Sequence, residues 1–374
     1  MQHFKNLIQL SSSLHYSAMN HYKHMGFQYM DVPAIVGITG SCENVDTLFK
    51  VKSRIDAPLY FTQTGQLALE QALQYSPGVY TIIHSGRDEE IEDVRHLRQF
   101  RLIEEEFDCS LLNMVREKYD EELMYEELLK HIEEATKAMV AGVLTEHEET
   151  LNTFYHRNTV NLKNILARPY LRISYEAAVE LLKVNGFEQL TFGDDLEALH
   201  EAKIVELVNI SNNYGTQLAE FSPVLIMRYP KEIKFFNMKV SDKDPRVVLS
   251  ADCVFPYSGE AVGSAVREHD GIKLLVRLLT SSMFRILQDN GGRYEDFKWY
   301  VEDMIIAQKT QPHAGYGIGS ERVLQFILGS SDIRQCSIMS LMATQTRDWL
   351  PLAEKQKSEA RTEVVSEVPI EVQN

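Results

Sequence analysis

The stretch RDEEIEDVRHLRQFRLIEEE, residues 87–106, carries more structural information than any other in this chain. An arginine opens it, Glu89 follows two residues later, then comes the run Arg95-His96-Leu97, and Phe100 precedes an acid-rich end. Residues 98–106 alternate loosely in polarity, as a half-buried strand does, and the charged run before them suits a hairpin loop. Two strands joined by such a loop can clamp a nucleotide. A guanidinium grips phosphate through paired hydrogen bonds, and an aromatic face stacks on a base. By itself a charged hairpin also reads as a solvated surface loop.

A second stretch agrees with the first. Gly315-Tyr316-Gly317-Ile318-Gly319-Ser320-Glu321-Arg322 is followed by the apolar run VLQFIL. The glycines allow close backbone approach, and the apolar run can bury a helix against a sheet with Arg322 at its start. Dinucleotide-binding loops look similar, but no parallel βαβ pattern precedes this one.

Together the two stretches resemble motifs 2 and 3 of the class II aminoacyl-tRNA synthetases, in the asparaginyl/aspartyl branch. Motif 2 of that branch is matched by Arg87-Asp88-Glu89, Arg95-His96-Leu97, Phe100 and Glu104-Glu105-Glu106. The motif 3 pattern PHxGFGLGxER is matched by residues 312–322. The resemblance implies an α+β fold, an antiparallel sheet flanked by helices. Residues 1–350 would form one catalytic domain, and the polar, acidic residues 351–374 a disordered tail.

Bulk properties set the frame. The chain has 374 residues, 44% apolar and 25% charged, as in an ordinary globular protein. It has no long uncharged apolar run, so no membrane span is expected. The N-terminus lacks the apolar core of a signal peptide. Cys42, Cys109, Cys253 and Cys336 are scattered without CxxC pairing, which fits reduced thiols in a cytoplasm. A formal charge of −16 argues against a tRNA partner, because polyanions are met by basic surfaces.

Read in order, residues 1–25 pattern as a helix that Gly26 can end, and residues 27–36 as a strand containing Pro33. This pair resembles motif 1, the dimer element of the family, and implies a homodimer. About two dozen residues precede it, too few for the oligonucleotide-binding barrel of full-length relatives, so the chain is expected to be the catalytic core alone. Glu43 stands where the family's glutamate meets the substrate α-ammonium, and Gln66, in FTQTGQL, at the amino-acid pocket. Leu69 replaces the lysine by which aspartyl relatives grip a carboxylate. Residues 111–220 are mostly helical in pattern, with charged pairs that make solvated helix faces and carry no expected chemistry. Residues 223–268 return to strand pattern. Glu260 falls where the family's glutamate holds magnesium, with Asp252 as a second oxygen donor, and Arg267 where its arginine meets the substrate side chain. An ion pair between Glu260 and Arg267 is the plainer alternative. Ser264-Ala265-Val266 replaces the family's G-S-Q, which is expected to remove polar groups near the amino acid. Met339-Ser340-Leu341 replaces F-P-R.

The chemistry implied is attack of an amino-acid carboxylate on the α-phosphorus of ATP. It needs alignment and charge neutralisation rather than a base, since the carboxylate is already ionised. Arg87 would bridge the two reactants. Phe100 and Arg322 would sandwich the adenine, with Glu89, Leu97 and Gly319 beside it, and His96 would face the terminal phosphates. Mg²⁺ on Glu260 would offset the pyrophosphate charge. Glu104 would accept from a substrate amide and Arg267 donate to its oxygen. The substrate is thus an aspartate- or asparagine-type amino acid. The leading expectation is an AMP-forming ligase that passes the acyl group to ammonia or a small amine, as in the asparagine biosynthesis of an archaeal relative of asparaginyl-tRNA synthetase. The alternatives are activation of asparagine for another biosynthetic acceptor, a carrier protein or tRNA, and a non-catalytic paralogue.

Overall fold

The computed structural model describes residues 1–37, 47–55, 57–90, 92–289 and 292–346. Glu43, Cys42 and the tail at 351–374 lie outside the described residues.

Helix α1 (Gln2–Met25) opens the chain. Leu7, Leu10, Leu14, Ala18 and Tyr22 recur at helical spacing and are fully buried. Burying each leucine contributes about 1.5–3 kcal/mol, which fixes that face of α1 against the core. Gly26 ends the helix at φ 80°, a left-handed conformation that costs glycine nothing.

Residues 27–36 do not form one strand. They give β1 (Gln28–Tyr29) and β2 (Ile35–Val36), the latter paired with β3 (Tyr60–Phe61). Pro33 lies between them, and its missing N–H breaks any continuous ladder. Helix α2 (Gln66–Ala72) then leads to β4 (Gly78–Gly86) and β5 (Gln99–Asp108), the hairpin expected around residues 87–98. Helix α3 (Glu121–Thr153), α4 (Thr159–Leu166), β6 (Leu171–Ser174), α5 (Tyr175–Lys183) and α6 (Ala198–Ser211) form the helical middle. Strands β7 (Val224–Met227), β8 (Ser250–Phe255) and β9 (Gly259–Val266) follow. Helices α7 (Gly271–Thr280), α8 (Ser282–Asp289) and α9 (Tyr294–Tyr300) precede β10 (His313–Gly319), α10 (Ser320–Leu328) and α11 (Ile338–Thr346).

The main sheet has eight strands in the order β1-β4-β5-β10-β9-β8-β7-β6. From β4 through β7 every neighbour is antiparallel, and the outer pairs β1·β4 and β6·β7 are parallel. Helices α1, α3 and α10 share the largest apolar core with β5, β8, β9 and β10. Helices α5 and α6 share a second core with β6 and β7. The expected α+β antiparallel architecture is therefore the one observed.

Strand β5 departs from the half-buried expectation. From Ile103 to Asp108 every residue is buried, including all three of Glu104, Glu105 and Glu106. The strand is central, so both of its faces are covered. Ile103 and Phe107 point into the α1/α3 core, and His131 Nδ1 of α3 donates to Glu105 Oε1 at 2.6 Å. Phe100, Leu102, Glu104 and Glu106 face the other way.

Candidate active site

On that other face lies a cleft with two lobes. The first is lined by Arg87, Glu89, Arg95, His96, Leu97, Phe100, Glu260, Gly319 and Arg322, with a cavity volume of about 170 Å³. The second is lined by Gln66, Glu104, Glu106, Asp252 and Arg267, with a cavity volume of about 180 Å³. Arg87, Phe100, Leu102, Glu260, Gly263 and Gly317 line both lobes, so the two open into each other at Arg87. Every residue expected in the nucleotide set falls in the first lobe. Of the amino-acid set, Gln66, Glu104 and Arg267 fall in the second, and Glu43 lies outside the described residues.

Strand β10 makes the floor. Gly315, Gly317 and Gly319 alternate along it, while Ala314, Tyr316 and Ile318 fill the core behind. At Gly315 a β-carbon would sit 2.2 Å from Glu106 Cδ and 2.3 Å from the Glu105 carbonyl oxygen. Only glycine permits that approach.

The hairpin loop shapes the first lobe. Arg87 N donates to Arg98 O at 2.9 Å and closes the loop at its base. The Arg87 guanidinium lies over the Phe100 ring at 5.7 Å. Asp93 accepts from the backbone of Arg95 and His96 at 2.7 and 2.8 Å, and from His96 Nδ1 at 3.0 Å. Arg322, in the first turn of α10, donates to the Ser258 carbonyl and, at 3.3 Å, to the Arg95 carbonyl. Arg87 and Arg322, far apart in sequence, thus line one cavity. Glu321, beside it, is buried and accepts from Arg101 N at 3.0 Å. Burial pushes its carboxyl up to about 7.

In the second lobe Glu104 takes a hydrogen bond from the Thr64 hydroxyl and another from Gly65 N at 2.6 Å. Burial pushes its carboxyl up to about 7 against those two bonds and the Arg267 charge. Arg267 pairs with Glu106 rather than with Glu260, Nε to Oε1 at 3.1 Å and Nη2 to Oε1 at 2.5 Å. Behind them sits Glu70, which accepts from Gln66 Nε2 at 2.7 Å, Tyr300 OH at 2.8 Å and His313 Nε2 at 3.0 Å. The other His313 nitrogen faces the Gln311 carbonyl at 2.8 Å. Both ring nitrogens meet acceptors, so the imidazole carries two protons. Burial alone would raise the Glu70 carboxyl, but the His313 and Arg267 charges pull it below its ordinary range. Donor atoms of Glu70, Glu106 and His313 lie within 4.8 Å of one another. With Arg267 and a charged His313 already balancing the two acids, that cluster is an ion-pair network and not a metal cage.

Asp252 and Glu260 both line the second lobe. Lys234 Nζ holds Asp252 Oδ2 at 2.6 Å. Burial, and then the Glu260 charge against the Lys234 ammonium, set the Asp252 carboxyl at about 6. Glu201 on α6 belongs to the same group. Burial and the Glu260 charge push it up to about 7, with Arg95 and Arg322 opposing. Asp252 and Glu260, the two of these that line the cleft, are hard-oxygen donors of the kind magnesium takes.

At the replaced residues 264–266, Val266 packs in the main core, Ala265 packs against Met238 and Val248, and Ser264, which lines the second lobe, donates its Oγ proton to Ala251 O at 2.6 Å. One expectation needs correction: the helical middle is not without electrostatic weight, since Glu201 and His131 both come from it. Glu70, His313, Lys234 and Thr64 were likewise missed. They act through neighbours distant in sequence, and no spacing signals them.

This sheet, with a bare glycine floor and an arginine joining two lobes, is the catalytic fold of class II aminoacyl-tRNA synthetases. The family model for class II tRNA synthetases (D, K and N) matches residues 1–342, and the chain belongs to that family. It is 29% identical over 336 residues to an asparagine–tRNA ligase of Streptococcus sanguinis, covering 88% of this chain and 66% of that one. It is 30% identical over 303 residues to the asparagine–tRNA ligase of Thermococcus kodakarensis, covering 80% and 61%. The crystal structure of asparaginyl-tRNA synthetase from Pyrococcus horikoshii complexed with asparaginyl-adenylate superposes with a TM-score of 0.74 at 28% identity, covering 90% of this chain and 68% of that one. The chain thus spans just under two thirds of the length of the curated relatives it matches. These relatives overturn the expectation, drawn from net charge, that tRNA is an improbable partner. Net charge averages over a whole surface, whereas a nucleic acid meets a local patch. As for the membrane, no described helix is long and apolar enough to cross one.

Proposed function

We propose that the protein activates asparagine as its adenylate and transfers the asparaginyl group to tRNA. The observation that carries this reading is the two-lobed cleft whose halves meet at Arg87. It is supported by likeness to asparagine–tRNA ligases along most of the chain.

In this reading ATP occupies the first lobe. Its base stacks on Phe100, with the Arg322 guanidinium on the other face and Glu89 accepting from the adenine amine. Asparagine occupies the second lobe. Its side-chain amide donates to Glu104, whose two oxygens each keep a lone pair beyond the bonds from Thr64 and Gly65. The α-carboxylate then meets the α-phosphorus at the junction, where Arg87 neutralises both reactants. A carboxylate oxygen bonds to phosphorus as the bond to pyrophosphate breaks, and no proton moves. Glu260 and Asp252 would hold Mg²⁺, which when bound supplies positive charge against the phosphates.

A second copy of the chain is proposed against α1. Ile8, Tyr16 and Met19 are exposed there, beside a groove that also includes Leu324 and Ile338. Sedimentation would measure it.

Amino-acid-dependent exchange of pyrophosphate into ATP, run across the twenty amino acids, should respond to asparagine, and labelled asparagine should then appear on tRNA. Exchange with no amino acid would overturn the activation step. AMP and free asparagine from aspartate, ammonia and MgATP, with no charged tRNA, would overturn the acceptor in favour of the ammonia ligase expected at first.

A further inference from the structure

We propose that Glu201 is a positioning residue for the first lobe: from behind the wall it holds the Arg95 guanidinium toward the phosphate end of a bound nucleoside triphosphate. The proposal rests on the nucleotide reading of that lobe given above.

The placement is specific. Arg95 lines the lobe, whereas Glu201 is not among its lining residues. Glu201 lies behind, its side chain 10% exposed against 37% for Arg95, with Oε2 3.4 Å from Arg95 Nη2. Gly259, the first residue of β9, marks where the groups converge. A β-carbon there would lie 2.9 Å from Glu201 Oε2, 3.0 Å from Arg95 Nη2 and 3.6 Å from Arg322 Nη1. One acid therefore stands among the cations that edge the lobe.

Glu201 is firmly mounted. Glu197 and His200 cap the start of α6 reciprocally, and Ile204, Val205 and Val208 bury the next turns in the second core. A carboxylate in the first turn is also favoured by the helix dipole. The Arg95 backbone is equally fixed, by Asp93 on its N–H and Arg322 on its carbonyl. Only the long Arg95 side chain is left to be oriented, and a guanidinium oriented in advance loses less freedom when it grips a phosphate.

A half-exposed ion pair adds little to stability, so a purely structural strap and a positioning contact give different results. Calorimetry would measure ATP and AMP binding to the wild type, Glu201→Ala, Glu201→Gln, Arg95→Ala and the double variant Glu201→Ala/Arg95→Ala, with a thermal melt of each. Loss of one charge-assisted contact predicts that Glu201→Ala weakens ATP about tenfold. AMP, which lacks the outer phosphates, should change less than twofold, and melting should stay unchanged. Glu201→Gln keeps an accepting oxygen and should fall between. With Arg95 already alanine, removing Glu201 should change nothing further. The proposal is overturned if Glu201→Ala binds ATP like the wild type, if ATP and AMP weaken alike, or if the loss persists without Arg95. Should Glu201→Ala fail to fold, the same comparisons on Glu201→Gln decide. A wild type that binds neither nucleotide would instead remove the functional reading, and this proposal with it.

Discussion

Arg267 and Glu106 face each other across the inner wall of the second lobe, Nη2 to Oε1 at 2.5 Å, both almost wholly withdrawn from solvent. Neither charge has water to fall back on. Breaking such a pair by removing one partner costs about 3–5 kcal/mol, because the other charge is left buried and uncompensated. Arg267→Met is therefore expected to lower unfolding stability by that order in urea. Arg267→Met/Glu106→Gln should recover much of the loss while still failing to bind the amino acid. Equal stability of the single and double variants would show that the pair is not coupled.

Arg87 stands where the lobes join, and Arg322 lines the first lobe alone. Arg87→Ala should therefore lower kcat for pyrophosphate exchange by about 10²–10³, the usual consequence of removing one donor from a developing charge. Arg322→Ala should act mainly on the KM for ATP. A loss in Arg87→Ala confined to KM would mean that its charge is not used at the reacting centre.

Glu104 gives the pH dependence. Its folded pKa of about 7 lies above the ordinary value of 4.5. Below 7 the buried group is protonated and one oxygen becomes a donor; above 7 it is ionised and accepts only. A substrate amide needs the acceptor, so the KM for asparagine should fall as pH rises from 6 to 8. The sign for stability is opposite. Ionisation is harder in the folded state than in the unfolded chain, so stability declines as pH rises above 4.5, and the loss levels off above 7. Glu104→Gln should weaken the pH dependence of KM, leaving what Glu106 and Asp252, raised to about 7 and about 6 in the same lobe, contribute. A KM for asparagine that stays flat with pH in the wild type would contradict the assignment.

The core of the site was legible because its groups come from two contiguous stretches. The hairpin at 87–106 and the strand-to-helix run at 312–322 each keep their chemistry within about twenty residues, and sheet pairing β5·β10 brings them together. The triple acid at 104–106 was harder. In sequence it looks like a solvated strand end, yet each glutamate has a buried partner drawn from elsewhere: Thr64, His131 and Arg267. Alternation reports which face a side chain takes, not whether a helix covers that face. Glu201 escaped for a related reason. One acid in an acidic helical region has no local mark, and only the fold sets it beside Arg95.

Gly315 offers the sharpest test of the glycine floor. A methyl group there would meet Glu106 Cδ at 2.2 Å and the Glu105 carbonyl at 2.3 Å, and one of those contacts is backbone that cannot swing aside. Strand β10 would have to lift from β5, or the Glu106 carboxylate would have to leave Arg267. Overpacking of this kind typically costs about 1–3 kcal/mol. Gly315→Ala is expected to lose that stability in urea and also to raise the KM for the amino acid, since Glu106 sets the posture of Arg267. Gly317→Ala is the control. Its nearest neighbours would be Glu104 Cγ and Oε1 at 3.6 Å, ordinary contact, so stability should hardly change. Its new methyl group would still stand on the cleft floor at the junction of the lobes, and ligand binding should suffer without the fold. Equal stability for the two variants would show that the close approach at Gly315 does not govern the spacing of β5 and β10.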